Sequence, residues 1–369
     1  MTIVPVTVRA VASPEDFQAF LGFASKLHRD DPYWIPMPPE IYARLLSREE
    51  NPYFEHADAE LFLAERDGEI VGQIIGHVDH RLNEFQHNEW GLFGLFEAED
   101  DQEVADALIG AAAQWLSERG RDRMVGPLLF STNEDFGLLL EGNDRRPVAL
   151  QQWHPPYYRE LLERAGFSKE VDMVWRELEM DQIPDELLAH ASRWAALVKT
   201  RFGVTIRGPH EDDVEADLER VFRFMAPIFD SHWGSVPKTE NELIDGLEMS
   251  ARFVGPGTLI AELDGKLIGA SMLMPDFHQH LVREGGEVIW SVRKIDQARL
   301  MFMAVDPTYR HIGITPALCH EHLEMARREG IERFVIGSSL EDNRQMNAMT
   351  ARLGLEVTRR QRVYARDLS

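Results

Sequence analysis

Two segments of the chain place an apolar run on each side of an Asp-Gly pair. The pairs are Asp67-Gly68 and Asp264-Gly265. Around them, residues 64–72 and 261–269 share Ala, Glu, Asp and two Gly at an offset of 197. An Asp-Gly pair between two apolar runs is typical of a β-hairpin with a tight turn. The pattern therefore predicts one hairpin in each half of the chain.

Two further matches follow the hairpins in the same order in both halves. Residues 120–125 match residues 330–335 at an offset of 210, and each segment closes a helix with Gly and opens a strand. Residues 162–167 match residues 350–355 at an offset of 188, and each ends a short helix with Gly. Such turns and caps are common, so each match is weak alone. Three matches in the same order favour a duplication over chance similarity.

The changing offset locates insertions. The second half gains 13 residues around residues 277–297, and the first half gains 22 residues within residues 126–153. Both halves otherwise run hairpin, strand, helix, strand, helix, strand, which is an α+β order. We therefore expect two domains, residues 1–180 and 181–369.

One segment of the second half has the pattern of an anion site. Residues 299–305 form a continuous apolar run that predicts a buried strand, and Asp306-Pro307 ends it. The loop Arg310-His311-Ile312-Gly313-Ile314-Thr315 follows, and Pro316 suits the first turn of an amphipathic helix. This order points unpaired backbone N–H groups and the positive helix end at one place. An ordinary strand-to-helix connection with a surface arginine is the alternative.

The charge of the chain gives that loop more weight. Lys and Arg total 39 against 63 Asp and Glu, a net charge of -24, so the average surface repels nucleic acid and anionic lipid. A phosphate-bearing ligand must then be held by a local device. We expect Arg310 to supply one cation and Gly313 to admit the ligand close to the backbone.

Composition and cysteine usage limit the remaining classes. Hydrophobic residues make up 44% of the chain and charged residues 28%, which indicates packed cores. Cys319 is the single cysteine, so an intrachain disulfide is excluded and a reducing cytoplasm fits best. No signal peptide and no apolar run of membrane-spanning length is found. His278-Gln279-His280 lacks the further ligands that a metal site needs, so no metal is expected.

With these residues the second half resembles the GNAT superfamily of N-acyltransferases. The cofactor motif of that family is [Gln/Arg]-x-x-Gly-x-[Gly/Ala], which Arg310 and Gly313 match, whereas Thr315 replaces the small residue. Asn343 and Gly354-Leu355 fit the Asn…Gly-Phe pattern of the next family motif. The resemblance spans residues 204–364. It implies two tandem GNAT-like domains, each a central mixed, mostly antiparallel sheet flanked by helices in a three-layer α+β fold.

The resemblance also implies a cofactor, acetyl-CoA or another acyl-CoA, and residues to bind it. The strand backbone at Met303, Ala304 and Val305 would bond the pantetheine arm, and Asn343 would contact the far end of the cofactor. The pyrophosphate would lie on the loop amides of His311, Ile312, Gly313, Ile314 and Thr315. A strand N–H near Val305 would stabilise the oxyanion when an amine attacks the thioester.

The catalytic acid and base are less clear from the sequence. Many family members protonate the thiolate with a tyrosine seven residues after the Asn, where this chain has Thr350. Tyr364 is one replacement; otherwise the thiolate leaves unassisted or the domain only binds CoA. Asp276 and His232 are candidate bases bordering the acceptor cleft. Asp276 also suits a turn, and His232 beside Trp233 also suits a structural role.

The first half has a different sequence where the phosphate loop would lie. Residues 94–101 contain four carboxylates, which would repel pyrophosphate. Asp100 and Glu103 are predicted to cap the following helix, which explains the cluster more simply than a divalent metal does. The first half is thus a degenerate GNAT-like domain.

These observations favour an acyl-CoA-dependent N-acyltransferase that acts on a small-molecule amine. The apolar insertion at residues 277–297 hints at a lipid-like amine, either as a substrate lid or as an amphipathic contact, although packing against the first half explains it equally well. The alternative is a non-catalytic CoA-binding regulatory protein, which Thr350 favours. A nucleotide pyrophosphohydrolase is disfavoured because no Glu-rich helix with Arg-Glu spacing is found.

Overall fold

The computed structural model describes residues 4–132, 134–229, 232–254, 257–284 and 287–368. Within these ranges the side chains of residues 248–254, 283–284 and 287–288 are not described.

The first half builds seven strands and five helices. The strands are β1 (Thr7–Ala10), β2 (Ala57–Arg66), β3 (Glu69–Asp79), β4 (Trp90–Ala98), β5 (Arg123–Gly126), β6 (Leu138–Glu141) and β7 (Ser168–Glu179). The helices are α1 (Pro14–Leu27), α2 (Pro39–Leu45), α3 (His80–Gln86), α4 (Gln102–Ser117) and α5 (Tyr158–Arg164).

The second half repeats this order with three differences: it begins with an additional helix, it has a two-stranded hairpin where the first half has α3, and it lacks a strand that corresponds to β6. The strands are β8 (Thr205–Arg207), β9 (Thr258–Leu263), β10 (Lys266–Pro275), β11 (Leu281–Glu284), β12 (Glu287–Trp290), β13 (Gln297–Val305), β14 (Arg333–Leu340) and β15 (Val357–Asp367). The helices are α6 (Asp185–Phe202), α7 (Val214–Phe229), α8 (Glu240–Val254), α9 (Ile314–Glu329) and α10 (Arg344–Arg352).

Both Asp-Gly pairs turn the predicted hairpins, β2–β3 and β9–β10. In each turn the Asp and the Gly both have positive φ, 54° and 79° at Asp67 and Gly68, and 50° and 76° at Asp264 and Gly265. Two successive positive φ angles match the twist of the flanking strands, which is why this dipeptide recurs at tight hairpins. The two hairpin predictions are confirmed.

The two halves share one continuous sheet because each half places its last strand beside the other half. The order of the main path is β1-β2-β3-β4-β5-β15-β7-β14-β13-β10-β9-β8. β15 of the second half pairs with β5 and β7, and β7 of the first half pairs with β14. Among the strand pairs of the described residues, only β4–β5 and β13–β14 are parallel. The mixed, mostly antiparallel α+β sheet flanked by helices is therefore confirmed.

The insertions lie where the offsets place them. β6 and the long loops around it occupy the enlargement of the first half, and β11–β12 forms a separate two-stranded sheet in the second half. The expected boundary at residues 180–181 falls in a short 3-10 turn, Met180–Gln182, between β7 and α6. No helix among the described residues is long and apolar enough to cross a bilayer.

Candidate functional site

The parallel strands of the second half separate partway along their length. β13 and β14 pair from Gln297 with Arg333 to Leu300 with Ile336, and no later pairing joins them. Beyond that point, residues 301–305 of β13 and 337–340 of β14 line a large cavity. The separation exposes the backbone of both strands to the cavity, which places Met303, Ala304 and Val305 where an extended ligand can reach them.

The predicted phosphate loop lies at the end of β13. Pro307–Ile312 forms a 3-10 turn that Asp306 caps through the N–H of Thr308 at 2.9 Å. Gly313 then begins α9 with φ 83°, and no side chain caps that helix. An uncapped helix N-terminus leaves backbone N–H groups for an anion. Arg310 lines the cavity beside it, and its Nε donates to the carbonyl of Val305 at 3.3 Å.

Gly313 is required for a reason other than close approach of a ligand. A Cβ at this position would lie 2.0 Å from Cε3 of Trp194, a residue of α6. The positive φ adds strain for any residue with a side chain. We expected a glycine here because a side chain would block the ligand. The structure gives a different reason: a side chain would collide with the indole ring of Trp194.

The second family motif lies at the start of α10. The side chain of Asn343 caps the helix by accepting from the N–H of Met346 at 3.0 Å, and the residue lines the cavity. Thr350 is buried and donates to the carbonyl of Met346 at 3.0 Å. It is not among the residues that line the cavity, so it does not take over the role of the family tyrosine.

The three sequence-predicted catalytic residues are not brought together. Tyr364 is fully buried in the core of the first half, where its hydroxyl contacts Glu163 at 3.2 Å, so it is not placed to protonate a thiolate. Asp276 is buried and accepts from the N–H of Ala149 at 2.8 Å, outside the lining of the large cavity. Burial raises its pKa to about 6 despite the hydrogen bonds that it accepts. His232 alone lines the cavity, with Nδ1 3.0 Å from the carbonyl of Phe229.

The cavity occupies about 2060 Å³ and both halves line it. The first half contributes α2 with the loop before it and two inserted loops at residues 129–136 and 147–153. The second half contributes α6, α7, α8 and the facing parts of α9 and α10. Most lining side chains are apolar, and polar or charged side chains make up the rest of the wall.

Asp135 is a carboxylate of this wall that is not among the predicted catalytic residues. Its Oδ2 accepts from the Tyr42 hydroxyl at 3.1 Å, and Gln152 donates a second hydrogen bond. Burial raises the pKa of Asp135 to about 6, against the effect of those two donors. No Lys or Arg pairs with it among the ion pairs of the described residues.

A chain of contacts joins Asp135 to the separated strands. The carbonyl of Phe136 accepts from Gln361 at 3.3 Å, and Oε1 of Gln361 accepts from the Trp175 indole at 2.7 Å. The Trp175 ring packs against Gly337 of β14, where a Cβ would lie 3.0 Å from it. The exchanged strands β7 and β15 supply both intermediates, so they hold the loop of Asp135 beside β14.

A second polar group includes two residues that line the cavity, Asp79 and Glu242. His56 bridges Asp79 at 3.1 Å and Glu242 at 3.2 Å, which joins the two halves. Burial lowers its pKa, but the two carboxylates outweigh burial and raise it to about 9. Oδ2 of Asp79 has no hydrogen-bond partner among the described residues. The offset of 197 relates Asp79 to Asp276, which is the signal that points to it from the sequence.

In the first half, the gap between the parallel strands β4 and β5 is closed. The N–H of Leu128 donates to the carbonyl of Phe93 at 2.6 Å, and a Cβ on Gly94 would lie 2.3 Å from the carbonyl oxygen of Leu128. Asp101, rather than the expected Asp100, caps α4 through the N–H of Glu103 at 2.8 Å. The loop after β5 therefore fills the gap that stays open in the second half.

Comparison with known proteins agrees with this geometry. Residues 218–355 match the model of the acetyltransferase (GNAT) family. The chain is 28% identical to Protein YghO of Escherichia coli over 98% of this chain and 95% of that protein. It is 27% identical to the bacterial ceramide synthase of Caulobacter vibrioides over 98% of each.

Solved structures carry the same two-part architecture. A tandem GNAT protein from the clavulanic acid biosynthesis pathway superimposes with a TM-score of 0.58 at 13% identity, over 99% of each chain. The second half carries a GNAT domain, and the whole chain has the fold of tandem GNAT proteins. A GCN5-related N-acetyltransferase from Sphaerobacter thermophilus gives a TM-score of 0.53 at 15% identity, over 98% and 96% of the two chains. The GNAT domain makes the chain an acyltransferase, and its sheet has one open and one closed strand gap.

Proposed function

We propose that the protein transfers an acyl group from acyl-CoA to the amine of a long-chain, lipid-like acceptor. The observation that carries the proposal is the cavity of about 2060 Å³, which runs from the gap between β13 and β14 into the first half. Pockets for drug-sized ligands usually hold about 300–1,000 Å³, so this volume suits two long molecules that meet end to end.

The cofactor-binding residues of the proposal follow the geometry of the gap. Met303, Ala304 and Val305 offer backbone groups to the pantetheine arm, and the loop His311 to Thr315 with Arg310 receives the pyrophosphate. The uncapped N-terminus of α9 supports this assignment because it supplies N–H donors without a competing carboxylate. Asn343 contacts the cofactor at the other wall. Acyl-CoA enters here as a substrate.

The acceptor class rests on the character of the cavity wall and on one relative. A ceramide is the amide of a fatty acid with a long-chain amino alcohol, and a bacterial ceramide synthase is 27% identical over 98% of this chain. Burial of an alkyl chain in an apolar cavity is worth about 0.8 kcal/mol for each CH₂. An amine with a long chain is thereby selected over short amines.

Asp135 is the proposed general base. Its raised pKa keeps it a competent base near neutral pH, because a base with a pKa near the working pH takes a proton and releases it again. The amine arrives as an ammonium, gives one proton to Asp135, and attacks the thioester carbonyl with its freed lone pair. The C–S bond breaks, the thiolate takes up a proton, and the net reaction releases one proton. His232 is the second candidate for this role.

The domain assignment is part of the proposal. Residues 181–369 bind acyl-CoA, and residues 1–180 serve as the acceptor side of the shared cavity. Two observations support this division: α2, the loop before it and two inserted loops of the first half lie in the cavity wall, and the gap between β4 and β5 is filled.

Chain length of the acceptor tests the proposal. With palmitoyl-CoA and primary amines of about four to eighteen carbons, release of free thiol should rise by up to about fourfold in kcat/KM for each CH₂ until the cavity is full. A series without this rise would contradict a lipid-like acceptor.

A non-catalytic CoA-binding regulator is the second candidate function, and the buried Thr350 in place of the family tyrosine favours it. Thermal stabilisation by CoA scales with ligand concentration over the dissociation constant. Stabilisation by CoA without thiol release for any amine of the series would establish the regulator and remove the enzyme.

A further inference from the structure

Four exposed apolar side chains lie on two neighbouring segments of the surface. They belong to the first-half loop around residue 150 and to the β11–β12 hairpin with its exit, and their exposed fractions are 50% for Leu150, 39% for Ile289, 58% for Trp290 and 87% for Val292. The large exposed hydrophobic residues of the described chain number seven, so more than half of them share this one surface. Isolated exposed apolar residues are normal, whereas a cluster marks an interaction site.

Basic residues border the same surface. Arg145, Arg146, Arg293 and Lys294 line one small pocket there together with Arg333 and Arg359. The acidic residues of that pocket are Asp144, Glu177 and Asp276, and Glu332 and Glu179 pair with Lys294 and Arg333 from outside it, so six cations face five carboxylates. The whole chain carries a net charge of -24. A surface on which cations at least balance the carboxylates departs from the average surface of such a chain, and it is the kind of surface that an anionic partner can approach.

Hydrogen bonds hold the two segments together. Nη2 of Arg146 donates to the carbonyls of His278 at 3.1 Å and Leu281 at 2.6 Å. The N–H of Arg293 donates to Nδ1 of His280 at 3.1 Å, and the His280 ring lies 4.9 Å from the Trp290 ring. The apolar and basic residues therefore form one preordered surface.

This surface lies at an opening of the large cavity. Leu150, Leu281 and Trp290 line the cavity, and both Leu150 and Trp290 are also exposed to solvent. His278 lines the large cavity and the basic pocket. An apolar molecule that leaves a lipid phase at this surface thus enters the cavity without crossing water.

We propose that Leu150, Ile289, Trp290 and Val292, with Arg145, Arg146, Arg293 and Lys294, form a docking surface for an anionic phospholipid bilayer. Trp and aliphatic side chains enter the interface between headgroups and acyl chains, where tryptophan is enriched in membrane proteins. The cations pair with lipid phosphates. Ile289 and Trp290 lie on β12 of the extra hairpin, which the first half lacks, and Val292 lies just after that strand. Docking in this orientation presents the cavity to the membrane; its link to lipid acylation rests on the proposed function, but docking itself does not.

Vesicle sedimentation with the full chain tests the surface without any need for turnover. Wild type should sediment with phosphatidylcholine vesicles that contain roughly 30% phosphatidylglycerol and bind pure phosphatidylcholine vesicles at least about tenfold more weakly. Trp290→Ser with Val292→Ser should weaken binding by about tenfold or more. Arg293→Gln with Lys294→Gln should weaken it roughly thirtyfold, since each cation near an anionic surface is worth about fivefold in partitioning.

Two matched controls carry the same changes elsewhere. Phe85→Ser removes an apolar side chain that is 40% exposed on α3, and Lys26→Gln removes a cation whose side chain is 63% exposed on α1. Both should bind vesicles like wild type.

Equal binding by the patch variants and wild type would overturn the proposal, as would a wild type that fails to sediment. A change of oligomeric state by light scattering in Trp290→Ser, with vesicle binding unchanged, would make this surface a protein contact instead. Loss of acyl transfer in wild type with vesicle binding intact would contradict the proposed function and leave the docking surface standing.

Discussion

The two halves contain the same pair of parallel strands, but only one pair opens onto a cavity. β13 and β14 separate after Leu300 and Ile336. β4 and β5 separate after Leu92 and Val125, and the loop that follows β5 closes the gap through the 2.6 Å hydrogen bond from Leu128 to Phe93. One fold has thus kept its ligand gap in one copy and filled it in the other.

The helices that follow the two gaps also differ, in how their N-termini are capped. In the second half the helix after the gap begins at Gly313 without a capping side chain, whereas Asp101 caps the helix of the first half. Glu97, near the end of β4, is bound by His28 and by the Tyr158 hydroxyl, each at 2.6 Å. In place of an uncapped helix end, the first half has a carboxylate held by its own donors. The first half therefore has no open strand gap of its own and contributes a wall to the cavity of the second half.

The largest effect on kcat should come from a substitution of Asp135, the base that we propose in the first half. Asp135→Asn should lower kcat about 10²–10⁴-fold, because it removes the proposed base. For wild type, kcat/KM should rise with pH through about 6, the pKa of Asp135, as the carboxyl loses its proton, and then level off. The variant should lose that rise in the pH profile.

The matched control for Asp135→Asn is Asp30→Asn. The Asp30 side chain is 92% exposed in the same half and should leave kcat unchanged. Because burial raises the pKa of Asp135, its ionised form opposes folding above the ordinary pKa, and the variant should be at least as thermally stable as wild type at pH 8. A variant that unfolds instead would show that Asp135 is structural.

The next largest effect should be on the free energy of unfolding, from a substitution at the closed gap of the first half. Glu97→Gln should destabilise the fold by about 3 kcal/mol at pH 7 in urea denaturation, because it breaks a buried charge-assisted contact. Burial opposes ionisation of Glu97, but the hydrogen bonds from His28 and Tyr158 keep its pKa below its ordinary value. Its contribution is therefore present above about pH 4.5 and fades as the pH falls below that value. CoA affinity should not change, and Glu99→Gln, at an exposed neighbour, is the control.

A substitution beside the open gap should have a smaller effect on the free energy of unfolding. Gly313→Ala should cost about 2 kcal/mol, since φ is 83° and the new Cβ would meet the Trp194 ring at 2.0 Å. Gly354→Ala has a similar φ of 69° with open space around it and should cost only about 1 kcal/mol. Equal losses in thermal unfolding would show that the Trp194 contact adds nothing.

The smallest effect should be that of Arg310→Gln. Loss of one cation from an anion site should weaken CoA binding by about tenfold and leave thermal stability unchanged, because charge-assisted hydrogen bonds are worth about 1.5 kcal/mol. Lys199→Gln, at an exposed position of α6, is the control. Unchanged CoA affinity in Arg310→Gln would remove this residue from the proposed site.

The sequence predicts the parts of this molecule that local chemistry determines. The two Asp-Gly hairpins, the strand that ends at Val305 and the helix that begins near Gly313 follow from turn residues and apolar runs. The exchange of β7 and β15 between the halves does not, because it depends on pairing between strands more than 180 residues apart. Composition and periodicity carry no information about which distant edge a strand joins.

The same limit explains the misplaced catalytic residues. Tyr364 lies on β15, so the exchange carries it into the core of the first half and away from the gap. Asp135 lies on an irregular loop, where neither period nor cap marks it, and only the contacts through Gln361 and Trp175 bring it to β14. The partner of Gly313 is equally hidden, since Trp194 reaches it from a helix 119 residues earlier.

Calorimetric titration of the full chain with CoA tests the central difference between the halves most directly. We expect one molecule of CoA per chain, with affinity about tenfold weaker in Arg310→Gln and unchanged in Glu97→Gln. Two molecules per chain, or affinity that falls in Glu97→Gln and persists in Arg310→Gln, would contradict a single cofactor site in the second half.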